Sequence, residues 1–398
     1  MSRNYFFPAD ILLPKGNFEK WSVIACDQYT SQPNYWKKVK EYIGDAPSAY
    51  NIILPEAYLD DETQIKIDKI NSTMKEYLDN DIFNRYENTV VFTERRLKSG
   101  KTRYGLVGLI DLEDYSYEKG ACTAIRATEE TVIERIPPRV NIRKDASIEL
   151  PHVMLLIDDP KDLVIGPIKN KASSLNKLYD FKLMQNAGSI KGFALNEECI
   201  SELQSALNRL IEESDNGLLF AVGDGNHSLA SAKECYRLGK GPRFALVEVV
   251  NIHDTSLEFE PIYRVIFNAD CKKLIADFIE YCGGEYTGED AQVFTCVIGK
   301  REQKISVKPK GTLCIATLQA FLDEYIKTNK DIKIDYIHGI DSVYELCNDE
   351  NTVGFIFDGM SKSELFVAVS QDGSLPRKTF SMGCADDKRF YLEARKIK

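Results

Sequence analysis

The sequence lacks any run of about 18 apolar residues, the length a helix needs to cross a bilayer, and this excludes a membrane-spanning helical protein. Its first ten residues contain no apolar stretch of the kind a signal peptide carries, so a cytoplasmic protein is the expectation. Ten cysteines are present, but no C-x-x-C pair and no zinc-type spacing, which leaves them to read as small buried hydrophobes kept reduced. Histidine is scarce, at four residues. Surplus positive charge is absent too. With 51 Lys and Arg against 61 Asp and Glu, the net charge is −10, and a nucleic-acid backbone would be repelled everywhere outside a local basic patch. A small anionic ligand or a nucleotide held in a pocket remains compatible with that balance, and self-association as a homo-oligomer is left open. Repeats and low-complexity tracts are missing as well.

What is present is an ordinary globular composition, 43% hydrophobic and 28% charged over 398 residues, enough for two or three packed units. The most informative stretch runs from Leu218 to Ala232. An apolar strand, Leu218-Leu219-Phe220-Ala221-Val222, passes through Gly223-Asp224-Gly225-Asn226-His227-Ser228 into a helix of small residues reaching about Arg237. Glycines let a backbone approach a ligand closely, and the first-turn N–H groups of a helix, backed by its dipole, favour phosphate. Asp224 and His227 add a carboxylate and an imidazole at that junction. A helix cap whose imidazole merely packs on the neighbouring strand is the competing structural reading.

Earlier in the chain, Trp21 to Cys26 reads as a strand ending at Asp27, before a helix capped by Ser31 with Pro33 in its first turn. Asp27 satisfies either loop amides or a ligand. A helix is expected over about 61–78, and a hairpin over 89–97 and 102–112 around Lys98-Ser99-Gly100-Lys101. Thr128 is placed to cap a short helix with Glu129 and Glu130 in its first turn. The cluster Arg126, Arg135, Arg139 and Arg143 suits either bidentate contacts to phosphate or surface ion pairs. His152, alone after a proline at a strand start, reads as structural.

A helix over about 196–213 leads into the central strand, and a further strand, 244–251, places His253 where the sheet could bring it near His227. The remainder reads as a smaller α+β unit with helices near 272–282 and 318–327 and final strands 353–357 and 365–369. The division drawn from these signals is 1–85 for an N-terminal α/β segment, 86–285 for the ligand-binding core and 286–398 for a C-terminal α+β domain.

Four segments carry a resemblance. Arg126-x-x-Glu129-x-Thr131, Asp224-Gly225-Asn226-His227, Tyr336-Ile337-His338-Gly339 and Leu375-Pro376-Arg377-Lys378-Thr379 resemble, in this order, the domain of unknown function family 1015. Its central turn, usually Asp-Gly-His-His-Arg, is similar to turns of the ParB/sulfiredoxin superfamily, which includes nucleotide-binding partition proteins, sulfiredoxin and kinases of free serine. The resemblance implies an α+β fold with a mixed-sheet core of ParB/sulfiredoxin type. It implies a turn that grips nucleotide phosphates, with ATP or ADP and magnesium as cofactors. Asp224, Gly225 and His227 match the family motif, whereas Asn226 stands in place of its first His and Ser228 in place of its Arg.

The expected site thus comprises Asp224, His227 and Glu129 as catalytic candidates, with Gly223, Gly225, Asn226, Ser228, Arg126, Arg135 and Arg377 as phosphate or ligand contacts. Ser228 is expected as an N-cap whose hydroxyl can still donate a hydrogen bond. The expected function is nucleotide or phosphate binding with phosphoryl transfer to a small hydroxyl such as that of free serine. A non-catalytic nucleotide sensor and a phosphate-ester hydrolase are the alternatives.

Overall fold

The structure, a computed structural model, describes residues 3–59, 63–130, 136–299, 301–383 and 385–398. Arg135, with Thr131 to Glu134, lies outside the described residues. The fold is α+β, and the chain divides into two compact units: residues 1–127, 131–257 and 384–398 form one, and residues 128–130 and 258–383 the other.

The first unit is built on a nine-stranded mixed sheet. Its spatial order is Asn176–Lys182, Ser189–Ala194, Val91–Arg96, Thr102–Asp111, Phe244–Asn251, Val153–Ile157, Phe220–Asp224, Ile125–Ala127 and Tyr115–Ser116. The expected hairpin is there, Val91–Arg96 pairing antiparallel with Thr102–Asp111 across a turn whose Gly100 has φ 87°. Alternation along these strands sends side chains to two cores. Val91, Val107, Ile190 and Leu246 face one, while Phe92, Leu106, Phe193 and Val247 face the other. The first core is closed by the helices Pro33–Ile43 and Thr63–Asp79 and by the C-terminal residues Phe390 to Ala394; the second receives the helix Glu197–Glu213 through Cys199, Leu203 and Leu207. No helix among the described residues is long and apolar enough to cross a membrane.

The second unit is an antiparallel sheet ordered Arg301–Val307, Gln292–Ile298, Val353–Phe357, Phe259–Phe267 and Lys333–His338, with Phe380–Met382 paired to the start of Phe259–Phe267. Phe278, from the helix Cys271–Tyr281, meets Phe294 and Phe355 edge-on at ring distances of 5.2 and 5.9 Å, so one aromatic side chain joins helix to sheet.

Three local expectations are corrected. The helix after Asp27 takes Gln32, not Ser31, as its N-cap, with Pro33 at the first helical position. Residues 128–130 do not begin a helix: Glu129 forms a parallel bridge with Leu375, and the Glu130 amide donates to the Leu375 carbonyl at 3.2 Å. Leu365 to Val369 is not a strand but the middle of the helix Lys362–Gln371. Glu364 Oε2 accepts from the Ser361 amide at 2.7 Å, and this start signal outweighs an apolar run that suits either period.

Candidate functional site

The strand Phe220–Asp224 runs antiparallel to Val153–Ile157, with Asp224 opposite Met154 across an irregularity. The end of one strand therefore lies beside the start of the other, and His152, just before Val153, comes next to the 223–225 turn. Gly225 leaves the strand with φ 84°, in the left-handed region, and is itself the N-cap of the helix Asn226–Arg237. Any other residue would be strained twice over, since a Cβ here would sit 3.0 Å from His152 Cδ2 and 3.1 Å from Val153 Cα. Ser228 consequently lies inside the first turn and is not the cap. Residues 223–228 are half-buried while both flanks are buried, so the turn is the exposed end of an otherwise enclosed strand and helix.

The C-terminal segment completes the arrangement. Phe390–Tyr391 pairs antiparallel with Val23–Ile24, a two-residue strand with Cys26 and Asp27 in the turn that follows it, and Tyr391 stands opposite Val23. Tyr391 Oη lies 2.5 Å from His152 Nδ1, accepts from the Cys26 amide at 3.2 Å and donates to Cys26 Sγ at 3.3 Å. His152 Nε2 faces Asp27 Oδ2 at 3.8 Å. Lys388 Nζ forms an ion pair with Asp224 Oδ2 at 3.1 Å, and the Gly225 amide donates to Asp224 Oδ1 at 2.9 Å.

Two cations and two carboxylates thus meet at the helix start. Burial would by itself lower the His152 pKa, but Asp27 above all, then Cys26 and Asp224, raise it to about 10. Burial opposes ionisation of Asp224, yet Lys388, His152 and the Gly225 amide hold its pKa below the ordinary value. The Tyr391 hydroxyl is pushed well above its ordinary value, first by burial and then by Cys26 and Asp27. A Tyr391 that keeps its proton, accepts from Cys26 N–H and passes its hydrogen to Cys26 Sγ leaves His152 Nδ1 as a donor, which agrees with an imidazolium.

Of the residues expected from sequence, Gly223, Asp224, Gly225, Asn226, His227 and Ser228 occupy this junction. Arg126 lies on the adjacent parallel strand, but its guanidinium bonds the carbonyls of Thr123, at 2.8 Å, and Asn216, both of which precede their strands. It is directed to the end of the strands away from Asp224, and burial lowers its pKa. Glu129 and Arg377 belong to the second compact unit. His253 pairs with Asp158 at 2.7 Å.

By sequence alone His152 reads as structural, and Lys388 and Tyr391 carry no functional signal. Nothing local distinguishes Lys388 from other lysines; contacts distant in the chain, among them the pairing of Phe390–Tyr391 with Val23–Ile24, bring it here.

A sequence model of the family described as "Protein of unknown function (DUF1015)" matches residues 8–325. No curated protein matches the sequence. Among solved structures, a mutant free serine kinase in complex with ADP is similar at 11% identity and a TM-score of 0.41, over 75% of this chain and 93% of that one. A conserved hypothetical protein from Pyrococcus furiosus is similar at 13% identity and a TM-score of 0.37, over 73% and 94%. SbnI with a C-terminal truncation, from Staphylococcus aureus, is similar at 12% identity and a TM-score of 0.37, over 70% and 82%.

Proposed function

This chain belongs to the DUF1015 family, and we propose that its 223–228 turn binds the phosphates of a nucleotide for phosphoryl transfer to a small hydroxyl acceptor such as free serine. The observation that carries the reading is the pair of cations, His152 and Lys388, set beside the start of the helix Asn226–Arg237. A helix N-terminus presents amides that no intrahelical carbonyl can reach, together with a partial positive charge, and two adjacent cations extend that preference for an anion. In this reading His152 and Lys388 replace the charge that the arginine of the family turn would supply at Ser228. The likeness of the turn to phosphate-gripping turns of the ParB/sulfiredoxin superfamily belongs to the same proposal.

The two carboxylates differ in availability. Asp224 is engaged by Lys388 and by the Gly225 amide, whereas Asp27 accepts from Gln28 Nε2 at 3.0 Å and faces His152 only at 3.8 Å. Asp27 is therefore the base: it takes the proton of the acceptor hydroxyl as that oxygen bonds to the terminal phosphorus. The phosphorus–oxygen bond to the rest of the nucleotide breaks, and His152 and Lys388 offset the charge on the departing oxygen. No group of three or more His, Cys, Asp or Glu among the described residues could hold a metal unaided. Asp224, together with the phosphate oxygens of the nucleotide, would hold magnesium, which would supply charge neutralisation there.

Calorimetry with ATP and ADP, with and without magnesium, tests the binding. Binding is expected, and it weakens at least about tenfold, or about 1.4 kcal/mol, in His152→Gln. No heat of binding at millimolar nucleotide overturns the reading. The Asp224–Lys388 ion pair favours a second reading, a non-catalytic nucleotide sensor, because it occupies groups that turnover would use. Serine-dependent formation of ADP from ATP separates the two: a sensor binds without it.

A further inference from the structure

The second unit gathers cations that the turn does not use. Arg264 and Tyr336 stand directly opposite each other on the antiparallel strands Phe259–Phe267 and Lys333–His338, so their side chains share a face. Arg264 is fully buried, and its donors are engaged: Nε with Gln319 Oε1 at 2.7 Å, Nη1 with the Ile262 carbonyl at 2.7 Å, and Nη2 with the carbonyls of Arg377 and Lys378, each at 3.1 Å. The last two bonds fix the backbone of the 376–379 loop and direct both its cations to one ring. Arg377 Cζ lies 5.6 Å, Lys378 Nζ 4.8 Å and Arg264 Cζ 4.5 Å from the Tyr336 ring centroid.

This grouping is held against two costs. Lys378 has φ 54°, in the left-handed region that a residue with a Cβ seldom adopts, and such strain persists only where the surroundings impose it. Like charges also meet around one ring. Arg377 and Lys378 are exposed, and among the described residues neither forms an ion pair; their side chains contact the Tyr336 ring. The effect reaches Arg264, whose pKa falls to about 10, mainly through burial and further through Arg377, with Tyr336, Asp323 and Glu129 opposing. Two of the four segments behind the family resemblance, 336–339 and 375–379, therefore meet at a point that the proposed phosphate turn leaves without a role.

We propose that Tyr336, Arg377 and Lys378 form a recognition site for a phosphate-bearing small molecule on the second unit. The guanidinium fork takes two phosphate oxygens and the ammonium a third, while the ring keeps the two cations side by side. A carboxylate fits less well, because the fork alone uses both of its oxygens.

The test is acetylation of the native full-length chain followed by peptide mass spectrometry, with pyrophosphate, inorganic phosphate or AMP present. Lys378 is expected to react at least about fivefold more slowly at saturating pyrophosphate, while Lys327, exposed on the same unit, reacts unchanged. AMP protecting as well as pyrophosphate assigns the phosphate to a nucleotide, and pyrophosphate alone assigns it to a free phosphate. Arg377→Gln is expected to abolish the protection. An unchanged Lys378 rate with every probe, equal slowing of Lys327, or protection that survives Arg377→Gln overturns the site. The readout is confined to Lys378, so its failure leaves nucleotide binding at the turn standing, and failure of the turn leaves this measurement intact.

Discussion

At the scale of residues, the behaviour of the proposed turn site depends on a histidine that stays charged. The folded pKa of His152, about 10, lies above its ordinary 6.5, so folding favours the protonated ring. The resulting stabilisation is fully present below about pH 6.5 and is lost as the pH rises towards 10. Asp224 has the opposite sign: its pKa is depressed, so its contribution is present above the ordinary value of 3.8 and is lost as the pH falls through the folded value. At neutral pH the Asp224 contribution is complete and that of His152 has only begun to decline. The ring protons of His152, followed by NMR, should therefore show no inflection between about pH 5.5 and 8, and Asp27→Asn should bring the midpoint down, because Asp27 is the strongest raising influence. A midpoint near 6.5 in the unsubstituted protein would show that the charged ring is not maintained. Little of this was legible. A single histidine after a proline carries no sign of charge, and its partners, Asp27 and Tyr391, are distant in the chain. The turn itself was legible because its glycines, carboxylate and helix start are contiguous.

At the scale of elements, the sequence is readable where a start signal and a single period agree. The helix Glu197–Glu213 shows both: Asn196 Oδ1 accepts from the Cys199 amide at 2.9 Å, and Cys199, Leu203 and Leu207 recur on the buried face. Asn196→Ala should cost about 1 kcal/mol in urea denaturation while leaving nucleotide affinity unchanged, since the cap serves the helix and not the turn. A loss below about 0.3 kcal/mol would mean that packing alone holds this end. Where signals conflict, the reading fails. Leu365-Phe366-Val367-Ala368-Val369 is apolar at every position, so the spacing fits strand and helix alike, and Glu364 reaching back to Ser361 decides for the helix. Thr128 has the chemistry of a cap, but its carbonyl accepts from the Leu375 amide at 2.6 Å, and pairing across the chain overrides the local preference.

At the scale of the whole molecule, the feature least visible in the sequence is the anchoring of residues 385–398 within the first unit. Trp21 Nε1 donates to the Leu392 carbonyl at 2.8 Å, and Arg95 and Arg103, opposite each other on neighbouring strands, hold the carbonyls of Asp386 and Asp387 at 3.0 and 2.7 Å. Arg389 is the centre of this anchor. It is 4% exposed and reaches Glu248 Oε2 at 2.5 Å, Glu393 Oε2 at 2.6 Å and the Pro151 carbonyl at 2.9 Å, so one guanidinium joins the sheet, the tail and the residue before His152. Burial opposes ionisation of Glu248, and Arg389 is the largest influence keeping its pKa low. Arg389→Met would remove the cation that two buried carboxylates share and should cost about 3–5 kcal/mol. The deficit should shrink as the pH is lowered, because protonation relieves the stranded charges. Adding Glu248→Gln and Glu393→Gln should recover much of the stability, but not nucleotide affinity, because Lys388 and His152 both adjoin the lost anchor. A loss under about 1 kcal/mol in the single variant would mean that water, not Arg389, compensates those carboxylates. Recovery of stability and affinity together would mean that the tail carries Lys388 to Asp224 without the anchor.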